Sequence, residues 1–189
     1  ARSSSRKSAR KAGAPRVVAA LDARMGETYL AAYSRAAGDW ETVIAPALFD
    51  RYERGVDIGY TPADIAKGRE LKALAQTDAA LRDIAAARDA LATAGKVGVI
   101  GYCWGGFIAW MAAARLTGFA CAVPYYGGGM LDVADLRPQC PVMAHFGERD
   151  AMIPVAGVRQ LAAAHPLAQV FIQEGGGSFF DNLLEAALD

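Results

Sequence analysis

The chain has 189 residues, of which 53% are hydrophobic, and its formal net charge is zero. A chain of this length and composition can bury one good core and favours a single domain. Three cysteines without a C-x-x-C pair exclude a disulfide framework. No apolar run reaches the roughly 18 residues of a membrane span, and no signal-peptide core follows the basic start, so we expect a cytoplasmic protein.

The first residues are strongly basic. Six of the 20 basic residues and none of the acids lie in residues 1–16, which leaves 14 basic and 20 acidic residues in the remainder. A segment of Ser, Ala, Lys and Arg without large apolar side chains predicts a disordered tail over residues 1–15. A nucleic-acid arm and an organellar transit segment are the alternatives to a plain solvated tail. The solvated tail is the simplest interpretation, so we do not expect nucleic acid as a partner.

The first half of the remaining chain mixes strand and helix patterns. RVVAALDA (16–23) and TYLAAYS (28–34) flank a connection with a glycine and predict a hairpin-like segment over 16–41. TVIAPALF (42–49) predicts a buried strand. The leucine and isoleucine spacing from Pro62 predicts one helix that continues to residue 94.

Strands and helices then alternate to residue 172. VGVIGY (97–102) is a continuous apolar run typical of a strand that is covered on both faces. The elements predicted after it are a helix over 105–118, a strand over 119–127, a loop over 127–139, a strand over 141–147, a helix over 155–164 and a strand over 169–172. This order predicts an α/β fold with a mainly parallel sheet and helices on both faces.

The last residues read as a linker over 174–178 followed by a short acidic helix over 179–189. Its apolar residues form one stripe, which consists of Phe179, Phe180, Leu183, Leu184 and Leu188. Such a stripe docks on its own domain or binds a protein partner, and the residues leave both open. We therefore expect a single domain over 16–189.

One motif carries chemistry. G-Y-C-W-G, residues 101–105, matches the nucleophile-elbow pattern with cysteine in place of serine, and it lies between a predicted strand and a predicted helix. A sharp strand-to-helix turn strains its central residue, so glycine is needed two residues before and two after it. Gly101 and Gly105 occupy those positions.

The elbow predicts a nucleophile at Cys103. A thiol at a helix N-terminus is stabilised as the thiolate that attacks a carbonyl, and the N–H of Trp104 would face the developing oxyanion. The alternative is a buried core thiol. Cys121, within a strand, and Cys140, before Pro141, lack this context and are expected to be core or loop thiols.

A cysteine nucleophile needs a base and an acid that orients the base. Asp150 follows the predicted strand 141–147 and is the candidate acid, with a helix cap before Pro154 as the alternative. The base should follow the last strand, yet no histidine stands there. His145 and His165 are expected to be structural, and with no ligand-spaced partners they predict no metal site.

The motifs VIAPALFDR, KVGVIGYCWGG, AVPYYGGG and MAHFGERDAMIP together resemble the dienelactone hydrolase family over residues 42–172. The resemblance implies an α/β-hydrolase fold and hydrolysis of a small lactone or ester without metal or organic cofactor. It also implies Cys103 as nucleophile, Asp150 as triad acid, Arg51 as a contact for the substrate carboxylate, and Tyr126 and Trp104 near the pocket. An ordinary surface arginine is the alternative for Arg51.

Both ends depart from that family, so we expect a partial α/β-hydrolase fold with atypical ends. The family's second oxyanion loop and its histidine are not recognised, and residues 16–33 weakly resemble the non-catalytic partner subunit of bacterial tRNA threonylcarbamoyladenosine synthesis. Three hypotheses follow: a cysteine hydrolase whose turnover is impaired by the missing histidine, a catalytically inactive binding module of the same fold, and a tRNA-modification partner subunit.

Overall fold

A six-stranded sheet forms the centre of the molecule. The structure is a computed structural model, and it describes residues 16–23, 27–29, 34–36, 39–41, 44–59 and 61–174. The strands of the sheet are β1 Arg16–Ala23, β2 Glu27–Tyr29, β5 Val97–Tyr102, β6 Phe119–Tyr125, β7 Met143–Gly147 and β8 Gln169–Gln173, in the order β2-β1-β5-β6-β7-β8. Among the strands that the structure describes in this sheet, only β2 runs antiparallel to its neighbour. Strands β3 Ser34–Ala36 and β4 Asp39–Glu41 form a separate antiparallel pair.

Within the described ranges, four α-helices connect or flank the strands. They are α1 Pro62–Leu74, α2 Thr77–Leu91, α3 Trp104–Arg115 and α4 Val155–Ala164. Short 3-10 helices span Leu48–Arg51, Ala92–Ala94 and Gly128–Val133. Among the helices in the described ranges, none combines the length and the apolar character that a membrane crossing requires.

The α/β fold predicted from the alternation of elements is confirmed, with β5 to β8 and the helices α3 and α4 close to their predicted positions. Strands β1 and β2 are antiparallel neighbours, as a hairpin requires. β1 also pairs in parallel with β5 over six residues, from Arg16↔Val97 to Leu21↔Tyr102. Residues 16–23 therefore belong to the same sheet as the elbow strand.

The strand predicted over 42–49 is wrong in its described part. Residues 44–47 have no regular structure, and Leu48–Arg51 forms a 3-10 helix that buries Leu48 and Phe49. Pro46 has no N–H to donate to a neighbouring strand, and it restricts the residue before it. The apolar residues here are buried by a turn of helix instead of by strand pairing.

The single helix predicted over 62–94 is also wrong, because it divides into α1 and α2 at Ala75 and Gln76, which are both extended. The N–H of Gln76 donates to the Tyr52 hydroxyl at 2.8 Å, so a side chain 24 residues away takes the place of a helical carbonyl. The break allows α2 to bury its own apolar face, including Ile84 and Leu91.

Helix α3 lies at the centre of the core. Ile108, Ala109, Trp110, Ala112 and Ala113 are completely buried. The helix contacts β1, β5 and β6 on one side and α2 on the other. A helix that is apolar all round is stable only when it is enclosed in this way, so α3 requires both neighbouring layers.

The start of α3 touches the sheet backbone at Gly106. A Cβ added to Gly106 would lie 2.4 Å from the carbonyl oxygen of Tyr125. Glycine to alanine normally stabilises a helix, but here the methyl group would meet backbone. We expect Gly106→Ala to lower the free energy of unfolding by about 1–3 kcal/mol in urea titrations.

The matched control is Gly128→Ala, whose Cβ would meet only Ile153 at 3.9 Å. We expect the free energy of unfolding of that variant to lie within about 0.5 kcal/mol of that of the parent protein. Equal effects of the two substitutions would contradict the close contact at Gly106.

Candidate functional site

The carboxyl ends of three neighbouring parallel strands carry the predicted site residues. Cys103 follows β5, Tyr126 follows β6, and Asp150 lies in the turn after β7. Since parallel strands end at a common edge of the sheet, the three positions lie on the same side of the molecule. Ligands of open α/β sheets bind outside this carboxyl edge.

Cys103 occupies the strained position of the turn between β5 and α3. Its φ of 54° and ψ of −120° are unfavourable for a residue with a side chain. Its N–H donates to the Tyr125 carbonyl at 3.0 Å, and its own carbonyl accepts from the N–H of Phe107 at 3.1 Å. Such strain persists only where the surrounding structure fixes it, and it is typical of functional sites.

Two glycines allow α3 to begin at this place. A side chain on Gly127 would lie 2.6 Å from the N atom of Phe107, and one on Gly106 would meet the Tyr125 carbonyl. The backbone after β6 thus passes directly across the first turn of α3. This contact holds the turn at Cys103 from the side of the neighbouring strand.

Tyr126 is the second residue with a side chain and a positive φ in the described part of the chain, at 37°. It is 6% exposed, and its N–H donates to the His145 carbonyl at 2.7 Å. Its ring centroid lies 6.3 Å from that of Tyr102. Cys103 and Tyr126, which both combine a side chain with a positive φ, therefore directly follow the adjacent strands β5 and β6.

Trp104 opens α3 and is fixed by its ring. The indole is 7% exposed and stacks on Phe49, with centroids 5.7 Å apart and planes 7° from parallel. The stack attaches the 3-10 helix Leu48–Arg51 to the elbow. The N–H of Trp104 belongs to the first helical turn, whose N–H groups have no carbonyl partner within the helix and are suited to an anion.

Asp150 is half-buried, and its side chain and carbonyl accept hydrogen bonds from the turn that directly follows it. Its carboxylate accepts from the N–H of Met152 at 2.8 Å, and its carbonyl accepts from the N–H of Ile153 at 3.3 Å. The N-cap of α4 is Pro154 and has no side-chain cap. The alternative interpretation, in which Asp150 caps the following helix, is therefore wrong.

Arg51 forms an ion pair with Asp83 of α2. Its Nε and one terminal nitrogen donate to the two carboxylate oxygens at 2.8 and 2.5 Å, and this hydrogen-bonded pair raises the pKa of Arg51. Both residues line an open groove of about 850 Å³, which does not include Cys103, Trp104 or Asp150 among its lining residues. The structure thus does not bring Arg51 and the elbow into one groove.

Both histidines of the chain make structural contacts. His145 stacks between Tyr125 and Phe171 at 4.6 and 5.1 Å, and burial lowers its pKa. His165 is buried with Nε2 2.6 Å from the Ala134 carbonyl and packs edge-on against Trp110. The expectation of structural roles agrees with these contacts.

The other two thiols differ from Cys103 in their surroundings. Cys121 lies within β6, and Cys140 precedes β7. Burial raises the pKa of both thiols, and that of Cys140 reaches about 11 with a further contribution from Cys121. In the described ranges, no group of three or more His, Cys, Asp or Glu side chains is placed to hold a metal ion.

Sequence reasoning missed the residues that support the site. The stack of Phe49 on Trp104 joins positions 55 residues apart in the chain, and no local sequence pattern predicts it. The role of Gly127 could have been predicted from the sequence, because three glycines directly after an apolar strand indicate a close backbone approach. The stack of Tyr102 on Tyr125 was also visible as aromatic residues at the ends of successive strands.

Comparisons with known proteins agree with this geometry. The model of the dienelactone hydrolase family matches residues 34–182. A Synechocystis sp. protein named "Putative carboxymethylenebutenolidase" is 32% identical over 72% of this chain and 61% of its own length. The Pseudomonas putida protein named "Carboxymethylenebutenolidase" is 41% identical over 45% of this chain and 38% of its own length. The chain therefore spans less than two thirds of the length of these curated relatives.

Solved structures support the fold. A crystal structure described as "Putative Dienelactone Hydrolase" from Klebsiella pneumoniae superimposes with a TM-score of 0.65 and 21% identity, over 92% of this chain and 80% of that one. An alpha-beta serine hydrolase homologue from Coxiella burnetii superimposes with a TM-score of 0.51 and 14% identity, over 59% of this chain and 56% of that one. With the strained elbow, the sheet order and the family match in place, the chain belongs to the dienelactone hydrolase family and has the α/β-hydrolase fold.

Proposed function

We propose that the protein hydrolyses a small ester or lactone through a covalent intermediate on Cys103. The observation that carries this proposal is the backbone of Cys103, which is held at a positive φ between β5 and the N-terminus of α3. A core thiol has no need of such strain, whereas a nucleophile gains exposure from it. Both relatives carry the name carboxymethylenebutenolidase, and this name supports a lactone as the substrate.

In the proposed reaction the Cys103 thiolate attacks the carbonyl carbon, and the carbonyl oxygen becomes an oxyanion. The N–H of Trp104 lies in the first turn of α3 and would donate to this oxygen. When the C–O bond breaks, the alkoxide takes up from solvent the proton that Cys103 released on ionising, and Cys103 retains the acyl group as a thioester. Water then attacks the thioester and releases the carboxylic acid and the thiol.

Proton transfer would limit this cycle. Asp150 stands at the position of the acid that orients a base, but both histidines are committed to contacts with other residues. Loss of one triad member costs orders of magnitude in rate, because only oxyanion stabilisation and binding remain. The ionised thiol can attack without a base, whereas the water that hydrolyses the thioester needs one. We therefore expect formation of the thioester to be faster than its hydrolysis.

Arg51 would bind a substrate carboxylate only by exchanging its present partner. Its planar guanidinium is already matched by the two oxygens of Asp83. Phe49 of the same 3-10 helix stacks on Trp104, so Arg51 lies on an element that is attached to the elbow, although Arg51 and Cys103 line no common groove. We propose that Asp83 competes with anionic substrates for this arginine.

The first prediction concerns the covalent intermediate. With 4-nitrophenyl acetate, we expect a burst of about one equivalent of nitrophenolate, followed by slow steady release, because acylation outpaces hydrolysis. Cys103→Ser should abolish the burst. Cys121→Ser makes the same chemical change within β6 and should retain it.

If the chain folds normally and shows no burst, the hydrolase proposal is wrong and the inactive binding module replaces it. A burst that survives Cys103→Ser would assign the intermediate to another residue. Peptide mapping of the quenched protein by mass spectrometry distinguishes the two results, because it shows whether the acetyl group is on Cys103 or on another residue.

The second prediction concerns selective alkylation. At pH 7.5 we expect iodoacetamide to label Cys103 well before Cys140, because a pKa of about 11 keeps the Cys140 thiol protonated. Labelling of Cys140 should rise about tenfold per pH unit below that value. Peptide mapping measures each site. Comparable rates at Cys103 and Cys140 in the folded protein would contradict an exposed nucleophile.

The third prediction concerns the ion pair. Asp83→Asn should release Arg51 and lower KM several-fold for an ester that carries a carboxylate, but not for its neutral analogue. Asp78→Asn, which breaks the exposed pair with Arg115, is the charge-matched control and should change neither value. Equal effects on both esters would show that Arg51 is only a surface arginine.

A further inference from the structure

The chain has two histidines, and both lie in its described part. His145 is on β7, two strand spacings or about 10 Å from β5. The ring of Tyr125 stacks between the rings of His145 and Tyr102. Nδ1 of His145 lies 3.3 Å from the side-chain amide nitrogen of Gln173. The stack and this contact hold the His145 imidazole away from the residue that follows Tyr102, which is Cys103.

His165 lies at the other edge of the sheet. It directly follows α4 and precedes β8, so it is at the amino edge, whereas Cys103 is at the carboxyl edge. Its Nε2 is 2.6 Å from the Ala134 carbonyl oxygen, and its ring packs edge-on against Trp110. The base that activates water in this fold is an imidazole. A thioester on Cys103 therefore lacks the usual proton acceptor for its hydrolysis.

We propose that the acyl group on Cys103 is transferred to a small soluble thiol in preference to water. An ordinary thiol has a pKa of about 8.5 and is a few per cent ionised at neutral pH, so its thiolate arrives already deprotonated. Water and alcohols must lose a proton as they attack, and for this they need a base. The protein would then be an acyltransferase with thiol acceptors, an inference that rests on the proposed covalent intermediate.

The transfer step balances without any further reactant. The acceptor thiolate forms a bond to the carbonyl carbon, and the bond from that carbon to the Cys103 sulfur then breaks. One thioester replaces another and one thiolate replaces another, so nothing is oxidised and no proton has to move. The N–H of Trp104, in the first turn of α3, would donate to the oxyanion as in the acylation step.

The position of Cys103 favours departure of its sulfur in this step. Cys103 is the N-cap of α3, and a helix N-terminus stabilises a thiolate. Of two sulfurs on one carbon, the one that is more stable as a thiolate leaves faster. Cys121 and Cys140 are poor acceptors within the chain, because burial raises the pKa of both thiols.

The surroundings of the elbow favour a small acceptor. Cys103 is half-buried, and the adjacent Trp104 is 7% exposed. Tyr126, at the end of the neighbouring strand, is 6% exposed. A cysteine on a folded protein would bring its own surface against these packed rings, whereas a small thiol needs to admit only its sulfur and a short chain.

Transfer from the isolated acetyl-protein tests the proposal. The full chain is acetylated with 4-nitrophenyl acetate, desalted and mixed at neutral pH with 2-mercaptoethanol. We expect the thiol to shorten the lifetime of acetyl-Cys103 by about tenfold or more, with S-acetylmercaptoethanol as the product. Ethylene glycol at the same concentration is the matched oxygen nucleophile and should leave the lifetime within about twofold of that in buffer. Peptide mapping follows the acetyl group on Cys103.

The same acetyl-protein unfolded in urea is the second control, because its thioester is no longer held in the elbow. Transfer to 2-mercaptoethanol should be about tenfold faster, or more, in the folded chain. Equal or slower transfer in the folded chain would overturn the proposal, and so would release of acetate as the main product. An acetyl-Cys103 that forms but does not respond to the thiol removes only the transferase. Failure of acetyl-Cys103 to form removes the hydrolase and the transferase together.

Discussion

The backbone contact between Gly106 of α3 and the segment after β6 is the constraint on which the site depends. At this point no side chain separates helix and strand, so the first turn of α3 lies directly against the Tyr125 carbonyl. The same carbonyl accepts the N–H of Cys103. The strained turn at Cys103 and the strained residue Tyr126 are therefore parts of one packed arrangement, and neither can relax alone.

That strain costs on the order of 1–3 kcal/mol at each residue, and the core is large enough to offset it. Helix α3 buries Ile108 and Trp110 completely, and each large apolar side chain contributes roughly 1.5–3 kcal/mol when it leaves water. The helix can bury them only if it starts where Cys103 turns the chain. Burial of α3 thus stabilises the strained backbone conformation of Cys103.

The sequence predicted the elbow because strand, turn and helix are local there, and two glycines at fixed spacing mark the strain. It did not predict the break at Ala75–Gln76, because the Tyr52 hydroxyl that stabilises it comes from another part of the chain. Arg51 was assigned by family resemblance, and its pairing with Asp83 depends on a contact between elements 32 residues apart. Local patterns therefore predicted β5 to β8 and the strained turn at Cys103, whereas long-range contacts determined the break between α1 and α2 and the partner of Arg51.

The strand order also has a consequence for how the chain assembles. β5, β6, β7 and β8 are neighbours in both sequence and sheet, so each can join its predecessor as soon as it leaves the ribosome. β1 is synthesised before β5 and must wait for it across residues 24–96. Closing that loop costs roughly 1 kcal/mol more than closing the connection from β5 to β6. We therefore expect capture of β1 to be the slow step of folding.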